Sequence, residues 1–279
     1  FKIYCYAFGF KEKDNMHKLI ESKVDVWRDI RNLTNHDVAL LARKDGIDIA
    51  IDLQGYTGKS RVEIFGNRVA PIQINFLGYP GTMGAGFMDY IIADKNLIPE
   101  SDEKFYTEKI IHMPDCYQPQ NDELKISDKI SDRSTLGLPN NCFVFCAINN
   151  SYKITSDVFD VWMKLLSKVK NSVLWLLESN EWSKLNLIKE ANLRGINSSR
   201  LIFSKKTSYE IYMSQFKHAD LFLDTFIYNA GATASNALQM GVPLITKIGN
   251  SYVSRMAASL LYSIGLSELI TTDKTSYEK

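Results

Sequence analysis

The 279-residue sequence is poor in the features that mark special classes of protein. Lys+Arg 33 almost cancel Asp+Glu 32, leaving a formal charge of +1. Without a basic excess to displace counterions, a broad nucleic-acid surface is excluded, although a local anion pocket is not. No apolar run approaches the roughly 20 residues that span a bilayer. Cysteines are few, at 5, 116, 142 and 146, and mostly in apolar contexts such as FVFCAI. They read as buried small hydrophobes in a reducing, cytoplasmic compartment. Cys142 and Cys146 lack a second pair, and the four histidines are scattered, so no metal site is expected. A P-loop, a G-x-G-x-x-G and a G-x-S-x-G elbow are missing too, which disfavours NTPase, simple dinucleotide and hydrolase chemistry. There is no Asp-x-Asp pair of the kind that holds a divalent ion on a diphosphate. Nor does an initiator Met or a signal peptide precede the opening FKIYCYAF, an alternating, aromatic-rich strand pattern. The expectation is a fragment whose N-terminal part is missing.

What is present is ordinary globular composition, 45% hydrophobic and 23% charged, in a chain long enough for two cores. Strand-like runs alternate with helical stretches. In the first part the pattern predicts strands at 1–8, 24–27, 47–53, 72–77, 90–93 and 109–113, with helical segments at 15–22, 37–44 and 61–65. Residues 118–133 are polar and apolar-poor, and a linker over 121–135 is expected. Beyond it, strands are predicted at 143–148, 173–177, 200–203, 221–224 and 244–246. Helices are predicted at 157–169, 185–194, 208–216, 232–240 and 254–264. The helix at 157–169 has its apolar residues at 158, 159, 162, 165, 166 and 169, one buried face. The strands are continuous apolar runs, which suits parallel sheets covered on both sides. Two doubly wound α/β domains follow, 1–120 and 136–279, the first incomplete. Their chemistry is sought in loops at the C-terminal ends of strands.

Three kinds of loop stand out. Asn149-Asn150-Ser151-Tyr152-Lys153-Ile154-Thr155 leaves a strand and enters a helix that Thr155 or Ser156 can cap. Lys153 then lies beside the positive end of a helix dipole, a conflict that a bound phosphate would remove. The second, LDTFIYNAGATASN, ends a strand near Thr225 and opens a helix with small residues and a glycine. Its backbone N–H groups make a second diphosphate cradle, with Asn236 one turn in and able to reach a ribose hydroxyl. Leu53–Gly58 and Leu77–Gly86 are Gly-rich loops that offer close backbone access to a neutral, hydroxylated ligand.

At these loops the sequence resembles the catalytic region of the protein O-GlcNAc transferase and SPINDLY family, glycosyltransferase family 41. The resemblance is carried in order by DGIDIAIDLQGYTGKSRVEIF, APIQINFLGYPGTMGAGFMDYIIAD, INNSYKI, VLWLL, LDTFIYNAGATASNALQMGVPLIT and SRMAASLL. It implies a GT-B architecture, two Rossmann-like domains with the nucleotide-sugar held mainly by the second. Only the short polar stretch stands between the halves, as in bacterial members. Lys153 matches the family lysine on the donor diphosphate, with Asn150 beside it. Gly231, Ala232 and Thr233 match the phosphate loop, Asn236 the position of a ribose-binding acid, and Gly78 and Pro80 the loop along the donor sugar. Tyr209 and Tyr212 replace the uracil-side Lys and His of the animal enzymes, and Ala232 removes one phosphate-binding hydroxyl. Asp45, matching an Asp in DGI, is the candidate general base.

The resemblance therefore implies an inverting, metal-independent transferase moving N-acetylglucosamine from UDP-GlcNAc to Ser or Thr of a protein or peptide acceptor. It needs no cofactor, and tetratricopeptide repeats are expected upstream. The family's active-site His-Pro segment also lies upstream, so this stretch alone is expected to be inactive. The alternatives are another donor, GDP-fucose or UDP-glucose, and a degenerate nucleotide-binding module without catalysis.

Overall fold

The computed structural model describes residues 1–9, 14–121 and 132–279. Most of the expected linker, 122–131, lies outside the described residues. The chain forms two compact units, Phe1–Ile92 with Glu103–Ile111, and Ala93–Asp102 with His112–Lys279.

The first unit starts with β1 (Tyr4–Ala7), α1 (Asn15–Lys23), β2 (Val26–Asp29) and α2 (Asn35–Lys44). It continues through β3 (Ile49–Asp52), α3 (Glu63–Gly66), β4 (Ile72–Asn75), β5 (Tyr90–Ala93) and β6 (Lys109–His112). β1 and β2 pair in parallel as a small sheet, and a second sheet runs β3-β4-β5-β6. Thr34 caps α2 by accepting from the Asp37 N–H. The apolar stripe of α2 (Val38, Ala39, Ala42) packs with Ile30, Ile64, Val69 and Ala70 into one core. Side chains alternate along a strand, so Ala50 joins that core while Ile49 and Ile51 face the other way and are half exposed.

The second unit runs β7 (Phe143–Ala147), α4 (Ser156–Lys168), β8 (Ser172–Leu177), α5 (Glu181–Leu193), β9 (Leu201–Ser204) and α6 (Tyr209–Gln215). It ends with β10 (Leu221–Leu223), α7 (Ala232–Gln239), β11 (Leu244–Lys247), α8 (Met256–Ser263), β12 (Ile270–Thr271) and α9 (Lys274–Tyr277). The six strands are ordered β12-β11-β10-β7-β8-β9, with every neighbouring pair parallel. Counted within the unit this is the doubly wound order 3-2-1-4-5-6, and its direction of winding reverses between β7 and β10. The continuous apolar strands have the expected cause. Val144 and Cys146 of β7 enter one core with Trp175, Phe222, Ala234 and Ala257, while Phe145 and Ala147 enter another with Leu174, Trp162 and Leu223. α4 buries Val158, Phe159, Val161, Trp162, Met163 and Leu166, a wider face than its spacing predicts; Val169 falls past its end and is exposed. In an open sheet of this order, ligands bind beyond the carboxyl ends of the strands at the reversal. The loops after β7 and β10 are the ones at that point.

Candidate functional site

The loop after β7 carries Asn149 and Asn150, then a 3-10 turn over Ser151–Lys153, then α4. Thr155 takes the N-cap position, as expected, but its hydroxyl makes no capping bond and is buried without a partner. Lys153 is the last residue of that 3-10 turn. Its Nζ donates to the Asn229 carbonyl at 2.9 Å and lies over the Tyr228 ring, 4.0 Å from the centroid. The conflict with the helix dipole is thus relieved by a carbonyl and a π-face from the loop after β10. Burial lowers the pKa of this amine, and the negative charge of Asp224 acts to raise it.

The loop after β10 is built on Asp224, which is wholly buried. Its Oδ1 accepts from the backbone N–H of Thr225 at 2.8 Å and of Ala230 at 2.7 Å, and its Oδ2 from the Thr246 hydroxyl at 2.6 Å. Residues 225–230 are thereby tied back to the strand end. Asn229 is fixed as well, through its N–H to the Val253 carbonyl and its Nδ2 to the Thr225 carbonyl. Burial pushes the Asp224 carboxyl up to about 7, against the pull of its three donors and of Lys153. The loop then reaches Gly231, the N-cap of α7, where no side chain caps the helix and its first N–H groups are left for a ligand. A Cβ on Gly231 would stand 2.2 Å from Met256 Cε, the tip of a flexible side chain that would have to move aside.

Between the loop after β7, the end of β9 with α6, and Thr233 in the first turn of α7 lies a cavity of about 400 Å³, in the range of small-molecule sites. Lys153, Lys205 and Lys206 line it, with no acidic residue, so it favours an anion. Its other side is neutral and aromatic. Tyr209 donates to Asn236 Oδ1 at 3.0 Å, and Tyr212 stands beside it, near Asn236 and Thr233. Burial raises the pKa of both phenols, keeping them as hydroxyls. The Nδ2 of Asn149, also at the cavity wall, is buried with no protein acceptor, a donor left for a ligand. Among the described residues, no three His, Cys, Asp or Glu side chains are grouped to hold a metal ion. No helix of the described residues is long and apolar enough to cross a membrane.

The structure thus brings Asn150, Lys153, Tyr209, Tyr212 and Thr233 together, with Asn236 just behind and Gly231 and Ala232 opening the helix that bears Thr233. Gly78, Pro80 and Asp45 belong to the first unit and do not line this cavity. The bareness of Gly78 is used by the protein itself, since a Cβ there would stand 2.0 Å from the Leu53 carbonyl oxygen. Likewise a Cβ on Gly55 would meet Tyr79 Cβ at 2.3 Å, so the two Gly-rich loops are pressed against each other. At both positions a side chain would force the two loops apart. Asp45 ends α2 and accepts from Tyr6 at 2.7 Å and from Arg28 through two nitrogens at 2.7 and 3.1 Å. Those bonds, Arg28 foremost, lower its pKa, the opposite of what a base at neutral pH needs. Asp45 ties α2 to β1 and β2, and its place as general base is withdrawn on that ground.

Sequence reading did not single out Asp224, Tyr228 and Asn229, nor Asn149, Lys205 and Lys206. The available signals were an acid at a strand end before small residues, and a Lys-Lys pair directly after a strand. What those signals lack is burial, which only the fold supplies.

Comparison with known proteins gives this geometry a context. A family model described as Glycosyl transferase family 41 matches residues 1–121 and 118–279. A probable UDP-N-acetylglucosamine–peptide N-acetylglucosaminyltransferase SEC of Arabidopsis thaliana is 30% identical over 284 residues, covering 100% of this chain and 29% of that protein. A UDP-N-acetylglucosamine–peptide N-acetylglucosaminyltransferase of Caenorhabditis elegans is 25% identical over 388 residues, covering 99% of this chain and 34% of that protein. The chain therefore spans about a third of the length of these relatives. Among solved structures, a mutant O-GlcNAc transferase of Thermobaculum terrenum superposes with a TM-score of 0.89 at 29% identity, over 99% of this chain and 52% of that one. A glycosyltransferase of Rickettsia africae, at 12% identity and a TM-score of 0.58 over 99% of this chain and 83% of that one, shares the fold.

Proposed function

The chain belongs to glycosyl transferase family 41, and from that premise we propose that it is part of an enzyme that transfers N-acetylglucosamine from UDP-GlcNAc to Ser or Thr of a peptide or protein, with inversion and without a divalent ion. In the reaction the acceptor hydroxyl oxygen forms a bond to the sugar C1 and gives up its proton to water, the bond from C1 to the β-phosphate oxygen breaks, and the electron pair leaves with the diphosphate. The chemical burden is the charge that grows on the departing group. One observation carries the reading: a partly buried ammonium, Lys153, at the point where the sheet reverses, in a cavity with two more lysines and no acid. Next to it the uncapped start of α7 offers N–H groups. Such fixed donors act as an oxyanion hole does, because they need no reorganisation when the charge appears. A diphosphate arriving here would also remove the penalty that burial sets on the ammonium.

Asn150 and Thr233 stand beside the phosphates in this reading, and Tyr209, Tyr212 and Asn236 face the nucleoside. The absence of an Asp-x-Asp pair supports neutralisation by lysine and amides. Gly78 and Pro80 along the sugar, upstream tetratricopeptide repeats and cytoplasmic residence belong to the same proposal. It is tested with Lys153→Ala in the full-length protein. The expected result is a loss of transfer of roughly 100- to 1000-fold, the usual cost of one such donor, with the fold intact by circular dichroism. Near-normal turnover would remove Lys153 from the reaction. Calorimetry with UDP and GDP decides the donor base: the expected preference is for UDP, and tighter GDP binding would transfer the reading to a GDP-sugar.

A further inference from the structure

Among the described residues, no carboxylate is in direct contact with Lys153. What holds it is backbone and ring: the Asn229 carbonyl at 2.9 Å and the face of Tyr228 at 4.0 Å. Both belong to the 225–230 loop, and that loop is closed on itself by Asp224. One carboxylate oxygen receives the N–H groups of Thr225 and Ala230, which bracket the loop at its two ends. The other receives Thr246 from β11, the neighbouring strand. The Asp224 backbone carbonyl in turn accepts from Tyr277 of α9 at 2.9 Å, 53 residues on. Thr225, Ala230, Thr246 and Tyr277 are all buried, so these bonds hold the two ends of the loop out of water.

We infer that Asp224 is the positioning residue for Lys153, acting by shaping the Tyr228–Asn229 platform under the ammonium and not by its charge. This rests on the reading of Lys153 as the cation that meets the diphosphate. The hydrogen bonds distinguish shape from charge. An Asn at 224 can still accept both N–H groups on one oxygen and donate its amide to the Thr246 hydroxyl, which keeps the loop and removes the charge. An Ala leaves two buried N–H groups unpaired and frees the loop.

The test reads Lys153 directly in the 279-residue chain, by titration of its ¹³C-methylated amine, assigned by the signal lost in Lys153→Arg. The groups around that amine are Asp224, Tyr228 and Tyr152, with Lys205 and Lys206 along the same cavity. In the wild type its midpoint is expected below that of the exposed lysines. Asp224→Ala should move it up towards them as the platform loosens, and should weaken UDP binding about tenfold. Asp224→Asn should move it down, because geometry stays and an attractive charge goes, with UDP affinity within about threefold of wild type. If Asp224→Ala leaves the midpoint unchanged or lowers it as Asp224→Asn does, the positioning role is overturned. Should Asp224→Ala not fold, Thr246→Val removes one donor only; a smaller upward shift supports the role and no shift refutes it. The titration needs no ligand. Failure of the wild type to bind UDP would therefore sink the nucleotide reading, while the midpoints still decide the role of Asp224.

Discussion

The two units follow one plan to different degrees. In the second, six parallel strands in doubly wound order are covered on both faces, and alternate residues of β7 enter separate cores. In the first, the strands fall into two sheets. Ile49 and Ile51, on one side of β3, and Leu53 just after it are 48%, 49% and 63% exposed, and the α1 residues Met16, Leu19 and Ile20 are open as well. The same residue types thus do opposite things in the two units. The difference teaches which unit lines a cavity with its own residues. The second unit does so with the loop after β7, the end of β9, α6 and α7, whereas the polar anchors of the first, Asp45 and Glu108, are spent on holding its own elements. Glu108 accepts from Thr82 at 2.6 Å and from the Met83 N–H at 2.5 Å.

That contrast can be broken by substitution, and the largest effect is expected in the core of the second unit. Trp175 on β8 is fully buried and donates to Ser204. Trp175→Ala should cost about 3–5 kcal/mol in chemical denaturation, through lost burial and the cavity left behind. Ile51→Ser, on a strand of the same kind, should stay within about 0.5 kcal/mol of wild type, because the side chain is half in water already. A large loss at Ile51 would show that its face is covered.

A smaller, pH-dependent effect sharpens the same contrast between a buried acid and an anchored one. The Asp224 carboxyl is raised from 3.8 to about 7. The folded state therefore holds its proton more tightly than the unfolded state does. Its contribution to stability is fully present below pH 4 and is lost as the pH rises towards 7. Asp224→Asn has no such titration, so its stability relative to wild type should grow between pH 4 and pH 7, by an amount on the order of a few kcal/mol, and level off above. Lys153 and Tyr277 face the same group; burial lowers the pKa of the Lys153 amine and raises that of the Tyr277 phenol well above its ordinary range. Denaturation curves at pH 4, 5.5 and 7.5 check this; a difference independent of pH would contradict the burial argument. Asp45, with a lowered pKa, should give the opposite slope at lower pH.

Much of the fold was legible because long apolar runs and helical spacing survive in one dimension. β5 over Tyr90–Ala93 is found where its run stands, and α1, α2, α4 and α7 begin within two residues of their predicted starts. β12 and α9 were not legible, being two and four residues long, too short for any period to show. Tyr277 in α9 is nevertheless a core residue and a partner of Asp224. Of the site, the loops and Lys153 were readable because they sit between a strand and a helix. What Lys153 touches was not, since Asn229 is 76 residues away. The use of the glycines was legible only in part, because a bare backbone admits another loop as readily as a ligand, and the approach of Leu53 to Gly78 shows only in the fold.

The most direct measurement is a crystal structure of the chain with UDP. The account predicts the diphosphate at the carboxyl ends of β7 and β10, with Lys153 Nζ turned from the Asn229 carbonyl to a phosphate oxygen at about 3 Å and the first N–H groups of α7 on the same anion. UDP bound away from this cavity, or Lys153 still on Asn229 with the phosphates in solvent, would contradict it.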